Sequence, residues 1–248
     1  MGSNRNAKPY SLIAPYYSLI MSHVDYSYWV KYILKVVKEF LPPDPSLLEL
    51  AAGNCSFAGK LSKKFDKIVV SDLSVEMLKE DKHNLSKLCC DMTTLPFRSS
   101  FDMVFSLFDS VNYLLRLQSL KKLLNEVSQV LKENGIFVFD VSLEGNSYKF
   151  LKETSYNIQN KDVKIFHTSG YNPAKRIHTN KFELIKNGRS IGKEIHRQKI
   201  YPFESYFSVI ENSDLYVARC YEAFTRIKGS ESSQRILFIL KRKYYAQF

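Results

Sequence analysis

Up to about residue 145, apolar runs and amphipathic stretches follow one another in a regular order. The runs near 47–51, 67–71, 87–90, 102–107 and 135–141 have the length and composition of buried strands. Stretches near 56–64, 74–83 and 117–132 carry helical spacing, and an earlier helix over about 26–40 ends before Pro42-Pro43-Asp44-Pro45, where proline removes donors that a helix needs. Alternating strand and helix predicts a parallel sheet with right-handed crossovers and a ligand site at the carboxyl ends of the strands.

After residue 145 the period drops to two. Lys161–Thr168, Arg176–Ile185 and Ile191–Tyr201 alternate polar and apolar positions, and Asn187-Gly188 is a hairpin turn. An antiparallel lid of about 50 residues is expected here, after which a helix near 203–213 and strands near 215–223 and 234–242 rejoin the main sheet. The predicted fold is α/β: a Rossmann-like, mostly parallel seven-stranded sheet with an inserted antiparallel β lid. Residues 1–145 and 202–248 form the core, and 146–201 form the lid.

Composition narrows the class. A chain of 248 residues with 45% hydrophobic content supports one sizeable core. No apolar run reaches about 18 residues, so no membrane span is expected. Met1–Asn6 lack a signal-peptide apolar region, and Asn6 breaks the myristoylation pattern. Cys55, Cys89, Cys90 and Cys220 lack paired metal-ligand spacing and read as reduced residues of a cytoplasmic protein. The five histidines show no HxxxH or HxH pattern, so no metal is expected.

Charge is concentrated in the lid. Residues 146–200 carry 12 Lys/Arg against Glu153, Asp162, Glu183 and Glu194, a net +8 of the chain's +11. Such clustering suits an anionic substrate, either a phosphorylated metabolite or RNA. It equally suits a solvated lysine-rich face.

The chemistry-bearing segments fall at the predicted strand ends. Leu47-Leu48-Glu49-Leu50-Ala51-Ala52-Gly53-Asn54-Cys55 is a buried strand containing an acid that feeds a small-residue turn, and Asp72 closes Ile68-Val69-Val70-Ser71 before the helix cap Ser74. The dinucleotide GxGxxG fingerprint is absent. Cys90-Asp91-Met92 again places an acid after a short apolar run, and Phe101–Leu114 reads as strand, acidic loop and helix.

This order resembles the class I S-adenosylmethionine-dependent methyltransferases. Tyr17-Ser18-Leu19-Ile20-Met21 with Tyr26 and Trp29, and Val130–Asp140, resemble the N-terminal helix and fifth strand of small bacterial members of the glycine and amino-sugar N-methyltransferase-like group. The resemblance spans nearly the whole chain. It implies S-adenosylmethionine as cofactor and S-adenosylhomocysteine as product. Glu49, Ala51 and Gly53 would hold the methionine end, Asp72 the ribose, Leu73 the adenine face, and Asp91 and Met92 the adenine edge. Ser106 completes the cofactor set, and Tyr17 fits either a methionine contact or plain aromatic packing. The chain departs from the family's Asp/Glu-x-Gly-x-Gly-x-Gly loop at Ala51 and Cys55, where glycine is usual.

Methyl transfer from a sulfonium is an in-line displacement that needs alignment and, for a protonated acceptor, a base; it needs no metal. The catalytic candidates are Asp109, His196 and Tyr201, and the acceptor-binding candidates are Asn112, Tyr113, Tyr171 and Arg197. The resemblance implies a small-molecule acceptor, an amine or carboxylate metabolite, and a monomer or homodimer. RNA methylation through the basic lid is the alternative; Phe108-Asp109-Ser110-Val111 in place of an Asn/Asp-Pro-Pro-Tyr tetrad counts against amino-directed base methylation only. A third reading, motivated by Ala51 and Cys55, is a cofactor-binding protein without activity.

Overall fold

The computed structural model describes residues 7–160 and 162–243; the targeting expectation on Met1–Asn6 and the start of the first predicted lid strand at Lys161 lie outside the described residues. A short α1 (Tyr17–Ile20) precedes α2 (Tyr26–Val37). Asp25 caps α2 by accepting from the Tyr28 N–H at 3.0 Å, and Trp29, Val30, Ile33, Val36 and Val37 form its buried stripe.

The core then runs β1 (Leu47–Leu50), α3 (Ser56–Leu61), β2 (Ile68–Asp72), α4 (Val75–Lys79), β3 (Ser86–Cys89), β4 (Phe101–Ser106), α5 (Leu117–Val130), β5 (Leu131–Ser142) and α6 (Glu144–Ser147). The lid contains β6 (Thr154–Gln159), β7 (Val163–Asn172), β8 (Ile177–Lys186) and β9 (Arg189–Lys199). The chain returns through α7 (Phe203–Glu211), β10 (Leu215–Glu222) and β11 (Arg235–Arg242).

The main sheet has seven strands in the order β10-β11-β5-β4-β1-β2-β3. β5, β4, β1, β2 and β3 are mutually parallel, and β11 runs antiparallel to both its neighbours, β5 and β10. Both faces are covered. Leu48, Leu50, Val104, Phe137 and Phe139 pack towards α5 and α7, while Leu47, Met103, Phe105, Ile136 and Val138 pack towards α2 and α3. This two-sided burial is why the central strands read as continuous apolar runs instead of alternating ones.

The lid is a separate sheet, β6-β7-β8-β9. Its inward positions Val163, Ile165, Phe182 and Leu184 form an apolar cluster with Ile13 and Ile20 of the N-terminal segment. Asn187 (φ 50°) and Gly188 (φ 74°) make the expected hairpin.

Some element ends shift by a few residues, β5 beginning at Leu131 where helix was expected to run to 132, and α3 ending at Leu61 where it was expected to run to 64; two differences go further. The helix expected over 74–83 stops at Lys79, because the Asp81 carboxylate accepts from the backbone N–H groups of His83 and Leu85 and offers the chain a turn in place of another helical residue. The lid has four strands, not three: β6 bonds only to β7 and is exposed at most positions, so it carries no apolar period to read.

Candidate active site

The loops leaving β1, β2 and β3 make one face of the site. Ala51, Gly53 and Cys55 all take left-handed backbone (φ 53°, 58° and 60°), so the turn keeps a glycine-type path although two of its three positions carry a side chain. Left-handed backbone costs an L-residue roughly 1–2 kcal/mol, while glycine loosens the unfolded chain by about 0.4–1 kcal/mol. The first outweighs the second by about 0–1.6 kcal/mol, so Ala51→Gly is expected to raise stability in urea denaturation by about 1 kcal/mol.

Asp72, at the end of β2, braces this turn. Its Oδ2 accepts from the Gly53 N–H at 2.7 Å and its Oδ1 from the Ser74 N–H at 2.8 Å. Burial raises its pKa, and these amides oppose the rise. Glu49 is buried inside β1, its Oε2 accepting from the Ala58 N–H at 3.2 Å at the start of α3, and burial pushes its pKa well up. A neighbouring ammonium would stabilise its charged form. Leu73 is 71% exposed, an apolar side chain standing free beside Asp72, as the adenine platform expected there would require. Asp91 accepts from Thr93 N–H and Oγ at one oxygen, Oδ1; Oδ2 takes neither bond. Met92 is half-buried beside it. Tyr17 packs over the turn, 3.8 Å from where a Gly53 Cβ would lie. Ser106 is fully buried, and its hydroxyl has no hydrogen-bond partner among the described residues. These residues fit S-adenosylmethionine: hydroxyl acceptors at Asp72, an apolar ledge at Leu73, and a buried carboxylate at Glu49.

The ends of β4 and β5 make the other face. Phe108 and Asp109 are both left-handed (φ 59° and 50°), and the Asp109 side chain is tied down. Its Oδ1 pairs with Arg235 at 3.3 Å, and its Oδ2 accepts from Gln198 Nε2 at 3.1 Å and Ser142 Oγ at 3.3 Å. Arg235 also donates to Asp140, whose pKa burial lifts to about 6 against the pull of the arginine.

Between this face and the lid lies a cavity of about 200 Å³, lined by Asp109, Ser142, Lys149, His167, His178, Asn180 and Gln198 among others. Burial holds both histidines below their ordinary pKa, and therefore neutral at pH 7.

Of the acceptor-side candidates, Asp109 alone lines this cavity. His196 is buried in a different place: its Nε2 meets Glu194 Oε2 at 2.9 Å and its Nδ1 meets Tyr113 Oη at 3.1 Å. Arg197, one residue on, is exposed, because Glu194, His196 and Gln198 share the inward face of β9 and alternation turns Arg197 outward. Tyr171 donates to Glu144 at 2.6 Å. Tyr201 is buried and donates to the Leu114 carbonyl at 2.7 Å, so its hydroxyl is engaged in packing. Asn112 is fully buried and bridges the backbone of β5 to that of β9.

Sequence reasoning did not single out Tyr10, Asp140, Glu194 or Arg235. Glu194 had a usable signal: it is an acid in register with His196 and Gln198 on an alternating strand. Tyr10 had none, because its place depends on how the N-terminal segment crosses the loops.

Comparison with known proteins agrees with this geometry. Residues 48–139 match the sequence family described as "Methyltransferase domain". The chain is 29% identical over 240 residues to "Putative methyltransferase YqeM" of Bacillus subtilis (strain 168), covering 92% of this chain and 95% of that protein. A crystal structure of an S-adenosylmethionine-dependent methyltransferase from Clostridium acetobutylicum ATCC 824 superposes with a TM-score of 0.77 at 25% identity, over 94% of this chain and 98% of that one. The sugar N-methyltransferase KedS8 from Streptoalloteichus sp ATCC 53650 shares the fold, with a TM-score of 0.75 at 16% identity, over 98% of this chain and 96% of that one. No helix among the described residues is long and apolar enough to cross a membrane. Residues 48–139 are a methyltransferase domain, and the chain has the fold of the S-adenosylmethionine-dependent methyltransferases.

Proposed function

We propose that this enzyme methylates a small amine or carboxylate metabolite held in the cavity between Asp109 and the lid. The observation that carries this reading is the cavity itself: about 200 Å³, lined mainly by polar side chains of the lid and by the loop after β4, at the carboxyl end of the sheet where an open α/β fold places its ligand. An amine is favoured over a carboxylate because the acidic group on the wall is Asp109, while Lys149 on the same wall suits an anionic substituent elsewhere on the acceptor. The sugar N-methyltransferase with the same fold supports an amine. When bound, S-adenosylmethionine supplies an electrophilic methyl group on a sulfonium; Asp72, Leu73, Asp91 and Glu49 would hold it, and the protein's remaining task is to align the acceptor and remove its proton.

Calorimetric titration with S-adenosylmethionine and S-adenosylhomocysteine tests the cofactor half. Asp72→Ala is expected to weaken binding at least tenfold, about 1.4 kcal/mol. Wild-type protein that is folded yet does not bind saturably would overturn the assignment of these residues. S-adenosylhomocysteine formation on a panel of primary amines and carboxylic acids tests the acceptor half; turnover of RNA oligonucleotides alone would move the acceptor to the outer, basic face of the lid.

A further inference from the structure

We infer that Tyr10, Tyr113, His196 and Glu194 form a proton relay that takes the proton from the acceptor amine, an inference that rests on the amine reading above. Four side chains from three parts of the chain meet here. Tyr10 comes from the N-terminal segment, Tyr113 from the turn after β4, and His196 and Glu194 from β9. The contacts are continuous: Tyr10 Oη to Tyr113 Oη at 2.6 Å, Tyr113 Oη to His196 Nδ1 at 3.1 Å, and His196 Nε2 to Glu194 Oε2 at 2.9 Å.

Counting donors assigns the direction. Glu194 is fully buried and accepts from the backbone N–H groups of Tyr10 (2.9 Å), Leu12 and Ile13 (3.1 Å), which identifies it as an ionised carboxylate that can only accept. His196 therefore carries its hydrogen on Nε2, leaving Nδ1 as a lone pair. Tyr113 must spend its one hydrogen on Nδ1, and so Tyr10 must donate to Tyr113. The open end of the chain is the Tyr10 oxygen, with lone pairs and no hydrogen left to give.

Tyr10 is not among the residues lining the cavity behind Asp109; it stands on the cofactor-loop side of that residue, so the body of the acceptor lies in the cavity and its nitrogen reaches past Asp109 towards the methyl group and Tyr10. The Tyr10 ring lies 5.8 Å from the Tyr17 ring, which covers the Gly53 turn. The Tyr10 carbonyl accepts from Ser74 Oγ beside the ribose acid, and its phenol senses the charges of both Asp72 and Asp109. Tyr10 itself adopts left-handed backbone (φ 62°), a conformation that the hydrogen bond from its backbone N–H to Glu194 holds in place.

An acceptor arriving as R–NH₃⁺ has no lone pair. Its N–H proton passes to the Tyr10 oxygen, the Tyr10 hydrogen to Tyr113, and the Tyr113 hydrogen to His196 Nδ1. The N–H bonding pair becomes the lone pair that forms the new N–CH₃ bond, while the S–CH₃ pair stays on sulfur. The net proton rests on an imidazolium paired with Glu194. Both phenols are held well above their usual pKa by burial, so each passes a proton on as it receives one and neither stays as phenolate. Around His196 the titratable groups are Glu194 on its own strand, Tyr113 and Tyr10, and His167 on β7, which burial keeps neutral.

Two measurements test this. ¹⁵N-histidine NMR of the intact protein, with and without S-adenosylmethionine, should show His196 as the Nε2–H tautomer. The Nδ1–H tautomer overturns the relay directly. Steady-state kinetics then use whichever amine of the panel turns over. In the wild type kcat should rise with pH along an acid limb. His196→Gln and Tyr113→Phe should each lower kcat by about 10²-fold and flatten that limb, with S-adenosylmethionine affinity within twofold of wild type. An unchanged pH profile in His196→Gln overturns the relay alone, whereas turnover of no amine overturns the acceptor reading and the relay's role together.

Discussion

Replacing Arg235 with methionine is expected to lower stability by about 3–5 kcal/mol at pH 7, and by distinctly less at pH 5. Arg235 opens β11 beside the end of β5, pairs with both Asp109 and Asp140, and lies 5.8 Å from the Trp29 ring centroid. Without it two carboxylates face each other in a buried site, and Asp140 already has one oxygen without a hydrogen-bond partner among the described residues. The pH dependence follows from Asp140. Its folded-state pKa of about 6 lies above the unfolded value of about 3.9, so the native state binds this proton more tightly. The group's contribution therefore improves as pH falls through 6 towards 4 and is lost as pH rises. Removing the arginine raises the folded value further and extends the loss above pH 7. Urea denaturation at pH 5 and 7.5 measures this directly. A deficit equal at both values would place the cost in lost packing, not in the uncompensated charge.

Where a local pattern determines the outcome, the sequence was legible. Asp72 closes β2 and Asp91 follows β3 by two residues, since loops at the carboxyl end of a parallel sheet meet solvent and ligand there. The Asn187-Gly188 hairpin required left-handed backbone at both residues and has it. The acceptor side was less legible, because its candidates were chosen by residue type while their roles depend on tertiary partners. Strand alternation alone separates His196 from Arg197, which cannot both face inward. No local pattern foretells that Tyr201 and Asn112, with chemistry suited to a substrate, spend it on backbone carbonyls 87 residues away in sequence. Arg235 was hidden for the same reason: its meaning lies in two acids, 126 and 95 residues distant in the chain.

Asn112 makes the second large prediction. Its Nδ2 donates to the Lys199 carbonyl at 2.8 Å and the Ser142 carbonyl at 3.2 Å, and its Oδ1 accepts from the Ser142 N–H at 3.0 Å. Lys199 is the last residue of β9 and Ser142 the last of β5, so one fully buried amide fastens the end of the last lid strand to the core beside Asp109. Asn112→Ala leaves one N–H and at least one carbonyl without a partner where water does not reach. At roughly 1–3 kcal/mol per orphaned group, the expected loss is about 3 kcal/mol. Because Ser142 also bonds Asp109, the fraction that stays folded should show a weakened acceptor KM while its S-adenosylmethionine affinity remains within twofold, the cofactor loops lying on the other side of β4. Urea denaturation together with cofactor titration separates the two possible roles. A fall in stability of this size identifies a structural bracket, whereas unchanged stability with a raised acceptor KM would return Asn112 to the substrate-binding set.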